Sequence, residues 1–139
     1  MAFRTLFAAA ALAAIPLAAA PLAAADAHET VTPVFQHAIP NIPGRSLTAL
    51  VVSYPPGVAS APHRHAGSAF IYAYVLSGAI RSQVDDEPVR VYRAGESWYE
   101  LPGAHHRVSE NASATEAAQL LAIFVAGSDE QVLTTPDAH

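Results

Sequence analysis

Turn-forming residues recur at short intervals along this chain, and their spacing is the feature that most restricts its fold. The segments between them are rich in β-branched and aromatic residues and show no 3.6-residue period. Short strands separated by turn signals roughly every eight to ten residues are typical of an all-β sandwich or barrel. The signals are, in order, Pro55-Pro56-Gly57, Ser77-Gly78, Asp85-Asp86-Glu87, Ala94-Gly95 and Pro102-Gly103.

The pattern divides the chain into a barrel and two flanking segments. Residues 26–45 contain Pro33, Pro40 and Pro43 and predict a loose arm with one early strand. Residues 46–126 predict the barrel, and residues 127–139 a C-terminal tail. Within the barrel, strands are predicted over 47–54, 70–76, 79–84, 89–92, 97–101, 106–109 and 119–125, with a loop over 110–118.

The first 25 residues have the layout of a secretory signal peptide. One positive charge at Arg4 precedes a long Ala- and Leu-rich stretch that ends in small residues, and cleavage after Ala25 or Ala27 would suit the pattern. The stretch is long enough for one membrane span, but Pro16 and Pro21 interrupt it. We therefore expect an exported mature chain, periplasmic or secreted, that is not held in a membrane.

Composition excludes several kinds of chemistry. The chain has no cysteine, which excludes disulfides and a thiolate nucleophile. All seven of its basic residues are arginines, so no lysine amine is present to form a Schiff base. The net charge is −5 and the arginines are scattered singly, which argues against nucleic acid and anionic membranes as partners.

The histidines are spaced like metal ligands. His63 and His65 are two residues apart, and alternate residues of a strand point to the same face. His105 and His106 follow about forty residues later, and only one of these neighbours can face the first pair. Three protein ligands with a further position left open is how catalytic metal sites are commonly built.

Two glycine- and proline-framed segments give the chain a resemblance to the cupin superfamily. The first motif, G-x5-H-x-H followed by a closing strand and glycine, resembles the segment from Gly57 through His63 and His65 to Gly78. The second, with a proline, a glycine and a histidine three residues after that glycine, resembles Pro102-Gly103-Ala104-His105-His106. The resemblance implies a double-stranded β-helix, or jelly-roll, barrel. It also implies a divalent metal on His63, His65 and His106.

The chain departs from the cupin pattern at three positions. The glutamate of the first motif is missing, because counting back from Gly78 reaches Ile71 and counting on from His65 reaches Ala69 or Phe70, with Ser68 the only polar residue nearby. The proline of the second motif is displaced, because Pro102 directly precedes Gly103. Asn111 lies one residue later than the asparagine of the second motif, which predicts a bulge or a shifted turn.

Other polar side chains near the motifs are candidates for roles at the site. Glu100 could be a fourth metal ligand, a hydrogen-bond acceptor for a ligand histidine, or a general base, and it is the candidate catalytic residue. His105 and Gln83 are candidates for hydrogen bonds that orient the metal ligands. Arg81 shares a strand face with Gln83, and this face could line the barrel or be exposed.

The resemblance implies two kinds of function. Cupins with three histidines resemble metal-dependent dioxygenases that act on small molecules, and a site without the motif glutamate would suit anionic or enolate substrates. The alternative is a non-catalytic module that binds a small ligand or metal, or a metal-dependent isomerase. The cofactor is expected to be one divalent ion (Fe, Mn, Ni, Cu or Zn), and the resemblance suggests a homodimer.

Overall fold

The protein is described by a computed structural model for residues 27–138, so the predicted signal segment 1–25 lies outside the described residues. The all-β prediction is confirmed: the described residues form strands and no α-helix. The strands are β1 (Thr30–Ala38), β2 (Arg45–Tyr54), β3 (His63–His65), β4 (Phe70–Ser77), β5 (Ala79–Val84), β6 (Arg90–Arg93), β7 (Ser97–Glu100), β8 (His105–Asn111), β9 (Ala118–Gly127) and β10 (Thr134–Pro136).

Two five-stranded antiparallel sheets make up the fold. One has the strand order β1-β2-β9-β4-β7 and is here called the β9 sheet. The other has the order β10-β3-β8-β5-β6 and is called the β8 sheet. Neighbours in both sheets come mostly from distant parts of the chain, as in the pairing of Arg45 with Gly127. Side chains from the facing sides of the two sheets therefore meet in one interior.

Strict alternation along β4 and β9 builds that interior. In both strands every second residue is buried, as expected for strands with one covered face. Several of the buried residues are alanines, and Ala73 of β4 stands directly opposite Ala122 of β9. Because these side chains are short, the interior is not completely filled between the sheets.

A β-bulge in β8 shifts the alternation of that strand. Gln83 pairs with Val108 while the next residue, Val84, pairs with His106, so Arg107 is the extra residue. As a result His106 and Ser109, three residues apart, are both buried. The bulge predicted from the late position of the motif asparagine is present.

Asn111 fastens the end of β8 to two neighbouring turns. Its amide nitrogen donates to the carbonyl oxygens of Tyr54, Pro55 and Glu116, and its side-chain oxygen accepts from the Ser113 amide. It is buried, so these hydrogen bonds satisfy its polar atoms.

Gly78 makes the turn between β4 and β5 where no other residue fits. Its φ is +69°, in the left-handed region, and a Cβ built there would lie 2.6 Å from the carbonyl oxygen of Ala117. The glycine that closes the first motif is thus required both by conformation and by close approach of backbone.

The sheets extend beyond the predicted barrel at both ends. The predicted arm contains β1, an edge strand that pairs with β2 along nearly its whole length. The predicted tail contains β10, which pairs with β3. The loop predicted over 110–118 is shorter, because β8 runs to Asn111 and β9 begins at Ala118. Within residues 27–138, no helix has the length and apolar character needed to cross a membrane.

Candidate metal centre

Three histidines of the β8 sheet converge on the interior. His63 of β3 is the cross-strand partner of His106 in β8, and His65 faces the same side because it lies two residues further along β3. One potential ligand atom from each ring lies within 4.8 Å of the others. His65 and His106 are buried, and His63 is half-buried. The structure thus brings together the three histidines singled out in the sequence.

Each imidazole has one nitrogen engaged by a neighbouring oxygen. His63 Nδ1 donates to the carbonyl oxygen of Ala61 at 2.8 Å. His65 Nδ1 lies 3.3 Å from Thr134 Oγ1, and His106 Nε2 lies 2.9 Å from Ser82 Oγ. Such contacts fix ring orientation and leave the second nitrogen of each ring available for a metal.

Burial keeps two of these rings neutral. It lowers the pKa of His106 to about 4, because the buried ring loses the hydration that stabilises its charged form and Glu100 offsets this only in part. Burial also lowers the pKa of His63. A neutral imidazole has a lone pair to offer, so near pH 7 metal binding at these rings displaces no proton.

Glu100 enters the same site from the opposite sheet. It lies in β7, is 2% exposed, and stands directly opposite Ile71 of β4. The indole nitrogen of Trp98 donates to Glu100 Oε1 at 3.0 Å. The same oxygen lies 3.3 Å from His106 Nδ1, and Oε2 lies 3.0 Å from His65 Nε2.

Burial alone would raise the pKa of Glu100, but its surroundings reverse that effect. The facing imidazole of His65, the charge that His106 can carry and the Trp98 N–H together hold the pKa of Glu100 below its ordinary value. Glu100 is therefore an ionised carboxylate near neutral pH. It can accept a hydrogen bond or bind a cation, but it holds no proton to donate.

Two buried polar atoms at the centre are unsatisfied. His65 Nε2 and Glu100 Oε2 face each other outside hydrogen-bond geometry, and neither has a hydrogen-bond partner among the described residues. Unpaired buried polar atoms are costly, by about 1–3 kcal/mol each. A divalent cation would satisfy both atoms, and neutral imidazoles with a carboxylate suit a first-row transition metal. The residues present therefore fit the metal that the fold implies.

The centre opens onto a cavity of about 390 Å³ between the sheets. Small and apolar side chains form most of its wall, and within the described chain no arginine lines it. Tyr54 adds a hydroxyl group, held by the Ser60 and Ser109 hydroxyls at 2.8 Å each, and burial raises the pKa of this tyrosine. The apolar lining residues include Leu50, Val52, Ile71, Ala73, Leu120, Ala122 and Phe124.

The two residues proposed to orient the metal ligands lie elsewhere. Gln83 donates to the carbonyl oxygen of Glu87 on the outer side of β5. His105 faces away from His106 and contacts Asp137. Alternation accounts for both positions, because each is the direct neighbour of a residue that faces inward. Arg81, on the same side of β5 as Gln83, pairs with Glu110 and does not line the cavity.

Ser82 and Thr134 make the contacts that sequence reasoning missed. Ser82 could have been found by shifting the inward face of its strand by one residue. Thr134 gave no comparable signal, because its strand, β10, is three exposed residues in the predicted tail.

Comparison with protein families adds the decisive observation. The family described as a cupin domain matches residues 50–124, more than half of the chain, and spans the triad. The chain belongs to the cupin family. A search of curated proteins found no significant match to this cupin.

Solved structures similar to this cupin share its fold. The protein TT1209 from Thermus thermophilus is 27% identical, with a TM-score of 0.56, and the match covers 71% of this chain and 84% of that one. An uncharacterized conserved protein with a double-stranded β-helix domain from Klebsiella pneumoniae is 16% identical, with a TM-score of 0.63 and coverage of 83% and 89%. Recombinant oxalate oxidase in complex with glycolate is 22% identical, with a TM-score of 0.58, and the match covers 74% of this chain and 53% of that one.

Proposed function

We propose that this cupin is an exported protein that holds one divalent transition metal on His63, His65 and His106 and acts on a small molecule as a dioxygenase-like oxidoreductase. The observation that carries the proposal is the placement of the triad. Three imidazoles, each with one nitrogen near a neighbouring oxygen, place one ligand atom each within 4.8 Å of the others at the wall of an apolar cavity.

The side chains around the triad would hold the imidazole rings in place and exclude water from the site. Phe124 packs edge-on against His65, with ring centroids 5.5 Å apart, and Trp98 lies 6.2 Å from His106. These contacts restrict ring movement and keep the metal position dry on two sides. A redox-active ion held there would supply coordination of the substrate and activation of O2.

The cavity favours a substrate that is largely apolar with one chelating oxygen group. No arginine of the described chain is present to neutralise an anion, so the metal would be the main attraction for negative charge. The short side chains of Ala73 and Ala122 leave room for a ring-sized group. Phenols, enolates of diketones and flavonoids have this chemistry. Oxalate is smaller and carries two charges, and the likeness to oxalate oxidase supports the fold alone.

A non-catalytic binding module, or a metal-dependent isomerase, is the second candidate. Glu100 is the buried carboxylate of the cavity, and its ionised state leaves it no proton to donate. The Tyr54 hydroxyl and the half-buried Glu29 carboxylate also line the cavity, but two serines hold the hydroxyl and burial keeps it protonated. A site with so few free acid–base groups also suits reversible binding of a ligand.

Elemental analysis of protein purified without a His tag or added metal tests the metal site. Wild type is expected to contain near-stoichiometric metal, and His63→Ala/His65→Ala to contain almost none. His37→Ala is the matched control, because His37 is exposed on β1 in the β9 sheet and does not line the cavity. Equal metal content in wild type and the double variant would reject the assignment of these ligands.

Oxygen uptake separates the two candidate functions. Iron-loaded wild type is assayed with phenols, thiols, diketones and flavonoids, alongside Ala122→Leu, which fills the cavity opposite Ala73. We expect Ala122→Leu to keep its iron and lose O2 consumption. Loaded wild type that consumes no O2 with any of these compounds would reject the oxidoreductase and leave the binding module or isomerase.

A further inference from the structure

We propose that Glu100 is a fourth protein ligand of the metal, bound through Oε2, with Trp98 as the residue that positions it. This inference rests on the proposed metal site and adds a ligand from the opposite sheet. The chain then encloses the metal from both sides, with three histidines from the β8 sheet and one carboxylate from the β9 sheet.

The two oxygens of Glu100 have different surroundings. Oε1 accepts the hydrogen bond from the Trp98 indole at 3.0 Å, which fixes the plane of the carboxylate, and it also lies 3.3 Å from His106 Nδ1. Oε2 is buried, has no hydrogen-bond partner among the described residues, and points to His65 Nε2. In metal sites, a ligand carboxylate is commonly oriented by a hydrogen bond to one oxygen while the other oxygen binds the metal.

The contact between Glu100 and His65 brings together the two unpaired buried atoms of the centre. His65 Nδ1 is engaged by Thr134 Oγ1, so Nε2 is the nitrogen left for a metal. It lies 3.0 Å from Oε2, and the arrangement does not meet hydrogen-bond geometry, so both buried atoms keep a lone pair or a ring nitrogen that a cation could bind. A divalent ion held here would be bound by the imidazole nitrogen of His65 and by the carboxylate of Glu100, both of which are ordinary ligands of such ions.

The strand register explains how a carboxylate from β7 reaches this point. Glu100 is the cross-strand partner of Ile71, and directly opposed residues in an antiparallel pair point to the same face. Ile71 lines the same cavity and occupies the position where the sequence pattern called for a glutamate. The carboxylate is thus supplied by the neighbouring strand β7, at the position that pairs with Ile71.

Cobalt titration of the metal-depleted chain tests this role directly. Trp98 is the only tryptophan of the chain, and its indole contacts Glu100, so quenching of its fluorescence reports Co2+ at the site. The visible absorption of bound Co2+ depends on the number and type of its ligands. We expect Glu100→Gln to bind Co2+ roughly 10- to 100-fold more weakly, with an altered absorption spectrum. Glu116→Gln, an equal charge change at an exposed residue, is expected to match wild type in both measurements.

A relocation variant gives the second measurement. Ile71→Glu/Glu100→Ile moves the carboxylate across the strand pair, and we expect it to recover most of the Co2+ affinity that Glu100→Gln loses. This double variant tests the proposal even if Glu100→Gln fails to fold. A relocation variant that folds but binds Co2+ much more weakly than wild type would overturn the proposal.

The outcomes separate this inference from the function on which it rests. Glu100→Gln with wild-type affinity and an unchanged Co2+ spectrum would overturn the ligand role while leaving the histidine site intact. Wild type that neither shows quenching nor binds Co2+ would instead overturn the metal site itself.

Discussion

The inner and outer faces of the β3–β8 strand pair both carry histidines, but the histidines of the two faces differ in how many of their nitrogens have hydrogen-bond partners. On the inner face, His63 pairs with His106, and on the outer face the next pair is Arg64 with His105. The outer histidine is satisfied at both nitrogens, since Asp137 Oδ2 lies 2.7 Å from Nε2 and Arg64 Nη2 lies 3.4 Å from Nδ1. Each inner ring is held at one nitrogen and turns the other toward its neighbours.

This difference separates a structural cluster from a functional one. The outer cluster has a hydrogen-bonding partner for each nitrogen of its histidine and lies partly at the surface, where water reaches the Asp137 carboxylate. The inner cluster is buried, faces the carboxylate of Glu100, and leaves polar atoms unpaired. A buried arrangement with unsatisfied atoms persists when binding of a ligand offsets its cost.

The largest expected contrast is between the two adjacent histidines of β8. His106→Ala removes a ring of the triad and should lower Co2+ affinity by about 100-fold or more. His105→Ala removes a ring of the outer cluster and should leave affinity unchanged. Competition with a chromophoric chelator measures both. Equal losses in the two variants would show that the faces are not functionally distinct.

Acid should destabilise the inner face of the metal-depleted protein. The pKa of His106 is about 4 in the fold, against an ordinary value near 6.5, so between these values the unfolded chain binds the additional proton. The stability that this group contributes is therefore complete above pH 6.5 and falls as the pH decreases toward 4. Urea unfolding should show a loss of about 2–3 kcal/mol between pH 7 and pH 4.5.

His106→Gln separates the titration of this ring from other effects of acid. The variant is expected to lose distinctly less stability over the same pH range, while His105→Ala should keep the full loss. An identical pH dependence in wild type and His106→Gln would assign the acid sensitivity to another group.

Removal of the hydroxyl that holds His106 should have a smaller effect. Ser82→Ala deletes the 2.9 Å contact to Nε2 and should weaken Co2+ binding roughly 10-fold, because the ring loses its fixed orientation. Arg64→Ala deletes the corresponding partner of His105 and is the control. Isothermal titration would detect a difference of this size, and unchanged affinity in Ser82→Ala would remove Ser82 from the site.

The smallest expected effect belongs to the contact between His105 and Asp137 on the outer face. Asp137→Asn should cost at most about 1 kcal/mol of unfolding free energy, because the contact is partly exposed to water. Metal content should not change. A loss of metal in this variant would mean that β10, which also positions Thr134, depends on the outer pair for its place against β3.

The strand pattern and the pair His63 and His65 are predictable from the sequence because both depend on local alternation. Alternation alone does not choose between His105 and His106, and the resemblance to the second cupin motif selects His106. The sequence does not determine the role of Glu100, for a physical reason. Its neighbours at the site come from the other sheet, and its place opposite Ile71 depends on a register that no local pattern encodes.

Other features were missed because their signals are weak or are set by distant contacts. β10 has three exposed residues that include a proline, and it is held by its pairing with β3 rather than by its own propensity. The sequence does not distinguish Gln83 from Ser82 as the inward residue, because the inward face of β5 depends on its pairing with β8 across the bulge. Export, dimerisation and the identity of the metal remain predictions.

The pairing of β2 with β9 also governs the order of events in folding. Arg45 meets Gly127 and Tyr54 meets Ala118, so the β9 sheet cannot assemble until nearly the whole barrel sequence is available. Loop closure over such separations precedes any gain from the contacts, and folds of this kind assemble on the order of milliseconds to seconds. His63 and Glu100 come from opposite sheets, so the complete centre should form only late in folding. Metal added before refolding should therefore scarcely change the folding rate and should slow unfolding instead.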